Sequence, residues 1–180
     1  MAAQGFSVFP TALGDCAVAW SDAGIVGVRL PGGDRSAARQ AMQRRFPHSH
    51  EAVPPPAVHA AMAAMTALLT GERVDLSEIA VDLRAVGPWE RSVYDVARTV
   101  PVGATLTYGE VAARLGDATQ ARAVGQALGR NPVPLIVPCH RVIAAQGRAG
   151  GFSAPGGTAT KLRLLAIESA HAPLPLFARG

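Results

Sequence analysis

Apolar positions in the first thirty residues fall into three short runs, Gly5 to Phe9, Gly14 to Trp20 and Gly24 to Leu30, separated by turn-forming residues. Runs of this length, rich in Val, Ile, Phe and Trp, predict β-strands, and Ser21-Asp22-Ala23-Gly24 predicts a hairpin turn. The period then lengthens. Asp34 can cap a helix that continues to about Phe46, where Pro47 stops it, and a polar, proline-rich stretch follows to Pro56. An Ala/Met/Leu helix from Ala57 to Leu69 closes at Gly71, and a short extended piece surrounds Ile79 to Leu83. Residues 1–87 are thus expected to form a small α+β domain on an antiparallel, hairpin-based sheet.

Gly87-Pro88 marks an expected boundary, beyond which residues 88–180 form a mainly helical domain. Pro88 suits the first position of a helix whose apolar face is Val93, Tyr94, Val96, Ala97 and Val100. Thr107 and Glu110 have capping-box spacing at the start of a helix to Leu115. Gly116-Asp117-Ala118-Thr119 then supplies a turn and a fresh N-cap for Gln120 to Leu128. Two short helices joined by a tight, Gly-containing turn predict a helix-turn-helix. The chain from Asn131 to Val142 reads as extended, and Gln146 to Gly157 as a glycine-rich loop. In the last helix, capped by Thr158 or Thr160, Leu162, Leu165 and Ile167 are expected in the core. Glu168 near its end opposes the helix dipole and needs a partner.

Composition narrows the class. With 180 residues, 49% hydrophobic and 17% charged, the chain has the makings of a compact globular protein of one or two domains. The apolar stretch from Ala60 to Leu69 is too short to span a bilayer, so no membrane partner is expected, and residues 1–7 show no secretory pattern. Cys16 and Cys139 lie far apart without metal-ligand spacing, which fits a reduced, cytoplasmic setting. His48, His50, His59 and His171 read as solvated or loop residues, and no metal and no cofactor are expected. Charge is uneven: residues 1–87 carry 7 Lys/Arg and 8 Asp/Glu, net −1, whereas residues 88–180 carry 10 and 5, net +5. The second part is the candidate for a polyanion partner.

The candidate chemistry lies in Asn131-Pro-Val-Pro-Leu-Ile-Val-Pro-Cys139-His140-Arg141-Val142. A thiol is a strong nucleophile only as thiolate, and imidazole and guanidinium neighbours on a proline-bounded scaffold lower the cost of ionisation. Cys139, His140 and Glu168 have the residue types of a nucleophile, a base and an orienting carboxylate. A buried structural cysteine fits the same local sequence. Adjacent residues on a strand point to opposite faces, so His140 reaches the sulfur only if the backbone turns or a water bridges them. The second helix of the pair surrounds Arg122 with Ala121, Ala123 and Gly125, small side chains that allow close approach to a groove or to another helix.

Pro138-Cys139-His140-Arg141-Val142 resembles the active-site signature of the O6-alkylguanine-DNA alkyltransferases, or methylated-DNA–protein-cysteine methyltransferases. Pro101-x-Gly103-x-Thr105-x-Thr107-Tyr108-Gly109-Glu110, Ala121-Arg122-Ala123-Val124-Gly125, Asn131-Pro-Val-Pro134, Gly151-Phe-Ser153 and Leu164-Leu165-Ala166-Ile167-Glu168 follow in the family's order. The resemblance covers residues 88–169. It implies irreversible, single-use transfer of an alkyl group from O6-alkylguanine in double-stranded DNA to Cys139, with O4-alkylthymine as a further substrate, by a monomeric protein. It also implies nucleotide flipping and a helix-turn-helix in the minor groove. His140 becomes the base acting through a water, Glu168 its orienting partner, and Asn131 the support of the active-site turn. Tyr108 would serve guanine N3, the Cys139 and Val142 carbonyls its amine, and Ser153 the O6 region. Arg122 would fill the vacated stack, with Ala121, Ala123, Gly125 and Thr107 at the DNA.

Two positions depart from the family pattern: Tyr94 replaces a frequent tryptophan and Phe152 a frequent tyrosine. The competing class is a non-catalytic alkyl-lesion-binding protein, which keeps the helix pair and the arginine but lacks the cysteine. A helix-turn-helix transcription factor would need more base-reading side chains than Ala121 to Leu128 offers. A thiol hydrolase would leave the arginine-bearing helix without a use.

Overall fold

A computed structural model describes residues 3–169. Strands β1 (Gly5–Thr11), β2 (Gly14–Trp20) and β3 (Ile25–Arg29) form an antiparallel meander in that order. Ser21 N–H donates to the Gly24 carbonyl at 2.9 Å, closing the expected turn. Gly24 has φ 142°, and a Cβ there would lie 2.6 Å from the Ala80 carbonyl oxygen. That close approach lets the segment near Val81 bridge in parallel to Ile25.

Both faces of the sheet are covered. Phe6, Val8, Ala17, Ala19 and Val26 pack on Ala38 and Met42 of α1 (Arg35–Arg45) and on Phe46 just beyond it, the helix being capped at its start by the Asp34 carboxylate. The opposite face, with Cys16, Val18, Trp20, Ile25 and Val28, packs on α2 (Pro56–Leu69) and on residues from the second part of the chain, including Tyr94, Val133 and Ile136. One buried core therefore runs through both parts. Burying a large apolar side chain contributes about 1.5–3 kcal/mol, which makes this shared surface a main source of cohesion.

Beyond Gly87, α3 (Pro88–Arg98) begins with proline at its first turn. The Tyr94 hydroxyl, fully buried, donates to the Ala127 carbonyl at 2.9 Å and so ties α3 to α5 (Ala121–Gly129). The predicted capping box is present at α4 (Tyr108–Arg114): Glu110 N–H donates to Thr107 Oγ1 at 3.1 Å, and Thr107 N–H to Glu110 Oε2 at 2.6 Å. Between α4 and α5, Gly116 has φ 100° and Asp117 caps a short 3₁₀ turn, Ala118–Gln120, completing the helix-turn-helix. Strand β4 (Leu106–Thr107) pairs in parallel with β5 (Val142–Ile143), so the chain entering α4 lies beside the chain leaving Cys139.

Two local expectations are corrected. The segment from Asn131 to Val142 is not extended throughout: Leu135 has φ 75°, and Cys139–Arg141 forms a 3₁₀ turn closed by Arg141 N–H to the Pro138 carbonyl at 2.9 Å. In α6 (Gly157–Ser169) the buried face is Lys161, Leu164 and Glu168, while Leu162 is 54% exposed and Leu165 and Ile167 are half-buried. Thr158 and Thr160 donate their hydroxyls to the loop carbonyls of Gly150 and Pro155. His48, His50 and His59 are exposed, and His171 lies outside the described residues. Among the described residues no helix is long and apolar enough to cross a membrane, and no group of three or more His, Cys, Asp and Glu could hold a metal ion.

Candidate active site

Cys139 sits on the 3₁₀ turn with 7% of its surface exposed. The turn is pinned by Asn131, whose Nδ2 donates to the Val137 carbonyl at 2.8 Å and whose Oδ1 accepts from Val133 N–H at 3.0 Å. The same side chain hydrogen-bonds the thiol. Burial pushes the Cys139 thiol up, while the Asn131 hydrogen bond and the Lys161 charge pull it down. The net rise keeps the resting group as thiol, so ionisation requires an acceptor for its proton.

Behind the turn lies a chain of buried charge. His140 is fully buried, and its Nε2 lies 2.8 Å from Glu168 Oε1. Burial lowers the His140 pKa against the opposing pull of Glu168, leaving a neutral ring. In a neutral ring that donates from Nε2 to a carboxylate, Nδ1 is the basic nitrogen. It is buried and has no hydrogen-bond partner among the described residues. Burial pushes the Glu168 carboxyl up, but hydrogen bonds from His140 and Arg141 outweigh it and hold the group at about 2.

Arg141 corrects an expectation. Its guanidinium does not serve the thiol: Nε and Nη2 form a bidentate pair with Glu168 at 2.9 Å each, and Nη1 donates to the Val100 carbonyl at 2.7 Å. The cation that acts on the sulfur is Lys161, which sequence reasoning missed. Lys161 is fully buried, and its Nζ donates to the Val142 carbonyl at 2.6 Å, to the Gly151 carbonyl at 3.3 Å and to the Tyr108 hydroxyl at 3.4 Å. Burial lowers its pKa to about 8. Its spacing from Glu168 on one helix face was the available signal.

In front of Cys139 opens a cavity of about 550 Å³ lined by Tyr108, Ala121, Arg122, Gly125, Phe152 and Ser153, among others. The structure thus brings together residues from α4, α5, the cysteine turn and the glycine-rich loop. Glycine is required beside it at Gly150, where φ is 73° and a Cβ would lie 2.8 Å from the Tyr108 hydroxyl; a Cβ at Gly125 would make only ordinary contact with the Tyr108 ring, at 3.8 Å. Burial, then the nearby Cys139, raise the Tyr108 pKa and keep its hydroxyl a proton donor. Arg122 is exposed at the rim. Ala123 is half-buried and does not line the cavity, and the Thr107 hydroxyl is engaged in the capping box. His140 and Glu168 lie behind the cysteine turn, and the Val142 carbonyl keeps one lone pair beyond its bond to Lys161.

Residues 88–170 match the family model described as 6-O-methylguanine DNA methyltransferase, DNA binding domain. The chain is 37% identical over 154 residues to the methylated-DNA–protein-cysteine methyltransferase of Methanothermobacter thermautotrophicus, covering 86% of this chain and 79% of the relative. It is 41% identical over 122 residues to the protein of the same name from Mycolicibacterium paratuberculosis, covering 68% and 72%. The crystal structure of Mycobacterium tuberculosis OGT in complex with DNA superposes with a TM-score of 0.75 at 31% identity, covering 94% of this chain and 95% of that one.

The Glu168 cluster makes a stability prediction. Glu168→Gln leaves the buried Arg141 cation without its partner and should cost about 3–5 kcal/mol near neutral pH. A carboxylate whose folded pKa is depressed stabilises above its unfolded value, 4.5, and loses that contribution as pH falls through about 2. Urea unfolding of wild type and Glu168→Gln across that range should show the gap narrowing; a constant gap would reject the ionised cluster.

Proposed function

Because the chain belongs to the methylated-DNA–protein-cysteine methyltransferase family, we propose a division of its reaction among the residues around Cys139. The protein is a DNA-repair alkyltransferase that moves an alkyl group from DNA to a cysteine, and DNA is its partner. The observation that carries the reading is Cys139, at the meeting point of a base-sized cavity and the buried His140–Glu168–Arg141 chain.

Residues 88–180 carry DNA binding and transfer, and residues 1–87 support them. The protein acts as a monomer in the cytoplasm on O6-alkylguanine in duplex DNA, with O4-alkylthymine as a second substrate. The O6 substituent lies within the base stack, so the nucleotide must be extruded into the cavity. Ala121, Ala123 and Gly125 let α5 enter the minor groove, Thr107 lies at the backbone, and Arg122 takes the vacated space. His140 Nδ1 accepts the Cys139 proton through a water, with Glu168 stabilising the resulting imidazolium. The sulfur then attacks the alkyl carbon: the C–S bond forms, the C–O6 bond breaks, and the electron pair remains on guanine. Tyr108 donates to N3, Ser153 to O6, and the Cys139 and Val142 carbonyls accept from the exocyclic amine. Asn131 holds the turn. Lys161 lies where its charge favours both the thiolate and loss of the Tyr108 proton. The thioether product has no leaving group suited to regeneration, so one molecule of protein serves one lesion.

Incubation with duplex DNA containing O6-methylguanine should add one methyl mass to the Cys139 peptide, stoichiometrically and without turnover. Stable lesion binding with unmodified Cys139 would sink the transferase reading in favour of a non-catalytic binder. Arg122→Ala should slow repair of duplex lesions more than transfer from free O6-benzylguanine; equal losses would reject its role in holding the flipped state. The Lys161 ammonium is lost as pH rises through about 8. Wild type should therefore outpace Lys161→Met about tenfold at pH 7, equivalent to one pKa unit of charge effect, with the advantage shrinking above pH 8. Single-turnover rates against pH test this, and an advantage independent of pH would contradict it.

A further inference from the structure

Cys139 also borders a second cavity, of about 180 Å³, whose far wall comes from the N-terminal part of the chain. Cys139, Phe152 and Ser153 line both cavities, so the two adjoin at the reactive cysteine. At ~30 Å³ per water, the second has room for about six waters, enough for a short side group. Its wall includes Met42 and two arginines, Arg29 at the end of β3 and Arg45 at the end of α1.

Arg29 is half-buried and Arg45 exposed. Neither forms an ion pair with a carboxylate among the described residues. Arg45 Nη2 donates to the Pro132 carbonyl at 3.2 Å and its guanidinium lies over the Phe46 ring, while Arg29 Nη2 reaches the Gly32 carbonyl at 3.4 Å. A guanidinium has five N–H donors in a fork matched to carboxylate, so most of this capacity is unspent.

During transfer the reacting carbon lies in line between the sulfur and O6. A substituent on that carbon must project sideways, and with guanine in the larger cavity the smaller one is the space left at the sulfur. Resting on the alkyl-transfer reading above, we propose that the second cavity is a subsite for the alkyl substituent and that Arg29 and Arg45 select substituents bearing a carboxylate. The lesion class is O6-carboxymethylguanine. Its transfer follows the same balance as methyl transfer: the methylene carbon gains a bond to sulfur and loses its bond to O6, giving S-carboxymethylcysteine and guanine. The N-terminal part would thus set substrate range through the wall it contributes to this cavity.

The test uses the full chain and duplex oligonucleotides carrying O6-carboxymethylguanine, its neutral isostere O6-carbamoylmethylguanine, or O6-methylguanine. Single-turnover rates are measured for wild type, Arg29→Met/Arg45→Met and Arg29→Lys/Arg45→Lys. The two substituents activate the adjacent carbon differently, so the readout is the change in their rate ratio between proteins. That ratio also cancels differences in folded fraction and DNA affinity. The carboxymethyl-to-carbamoylmethyl ratio should fall about tenfold from wild type to the Met variant and be largely kept in the Lys variant, as expected for loss or retention of nearby charge. An equal ratio in wild type and the Met variant, with methyl transfer intact in wild type, would overturn the subsite. Absence of any methyl adduct on wild-type Cys139 would instead overturn the alkyl-transfer reading, and the inference with it.

Discussion

The ionised Glu168 carboxylate, buried against Arg141 and His140, is the constraint on which the site depends. An isolated charge in an apolar interior is prohibitively costly, and this one is tolerated because its oxygens accept from two arginine nitrogens and the imidazole, with Gly103 N–H at 3.4 Å. Each donor fixes something else. His140 and Arg141 directly follow the cysteine on its turn, so the clamp locks that turn to the last helix. Its Nε2 bond fixes which imidazole nitrogen is basic. A carboxylate at the C-terminal end of α6, unfavourable for the helix dipole, is thus held by the residues it orients.

The second organising device is the parallel pairing of β4 with β5. It joins the start of the helix-turn-helix to the strand leaving the cysteine turn. Tyr108, the first residue of α4, is therefore brought to the same cavity as Cys139, with Lys161 bridging the Tyr108 hydroxyl and the Val142 carbonyl. Neither link depends on the N-terminal sheet. That sheet instead supports the site from behind: Val28 N–H and Arg45 both donate to the Pro132 carbonyl, next to the asparagine that pins the thiol. The N–H of that same peptide unit, on Val133, donates to Asn131 Oδ1, so β3 and Arg45 are linked to Asn131 through one peptide group.

Much of the fold was legible where local hydrogen bonding decides conformation. Asp34, the Ser21–Gly24 turn and the Thr107–Glu110 box each satisfy backbone groups within a few residues, and Pro88 removes a donor that would lack a partner, so their signals survive folding unchanged. The segment 131–142 was misread as extended because its prolines and β-branched residues fit a strand, while the positive φ at Leu135 and the 3₁₀ turn are imposed by tertiary contacts. The α6 face was misphased for a related reason. Apolar periodicity favours Leu162, Leu165 and Ile167, and assigning Lys161 and Glu168 inward contradicts ordinary burial preference unless partners are already known. Family order identified Cys139, Tyr108, Arg122 and Glu168 together; no one of these residues announces itself alone. The roles of Lys161 and of the Arg141 clamp required three-dimensional proximity.

Burial of Cys139 resolves an apparent conflict between reactivity and use. A thiolate standing ready at neutral pH would be open to oxidation and to stray electrophiles, and a residue that reacts once cannot recover from either. Desolvation keeps the resting group as thiol. The elements that assist ionisation, a basic His140 nitrogen and the Lys161 charge, are placed around it but do not by themselves reverse that state. In the proposed reaction, a base filling the larger cavity would exclude water from the thiol's exposed side and present the electrophilic carbon to it. On that reading selectivity arises before chemistry: the sulfur is protected by the same enclosure that the lesion would enter.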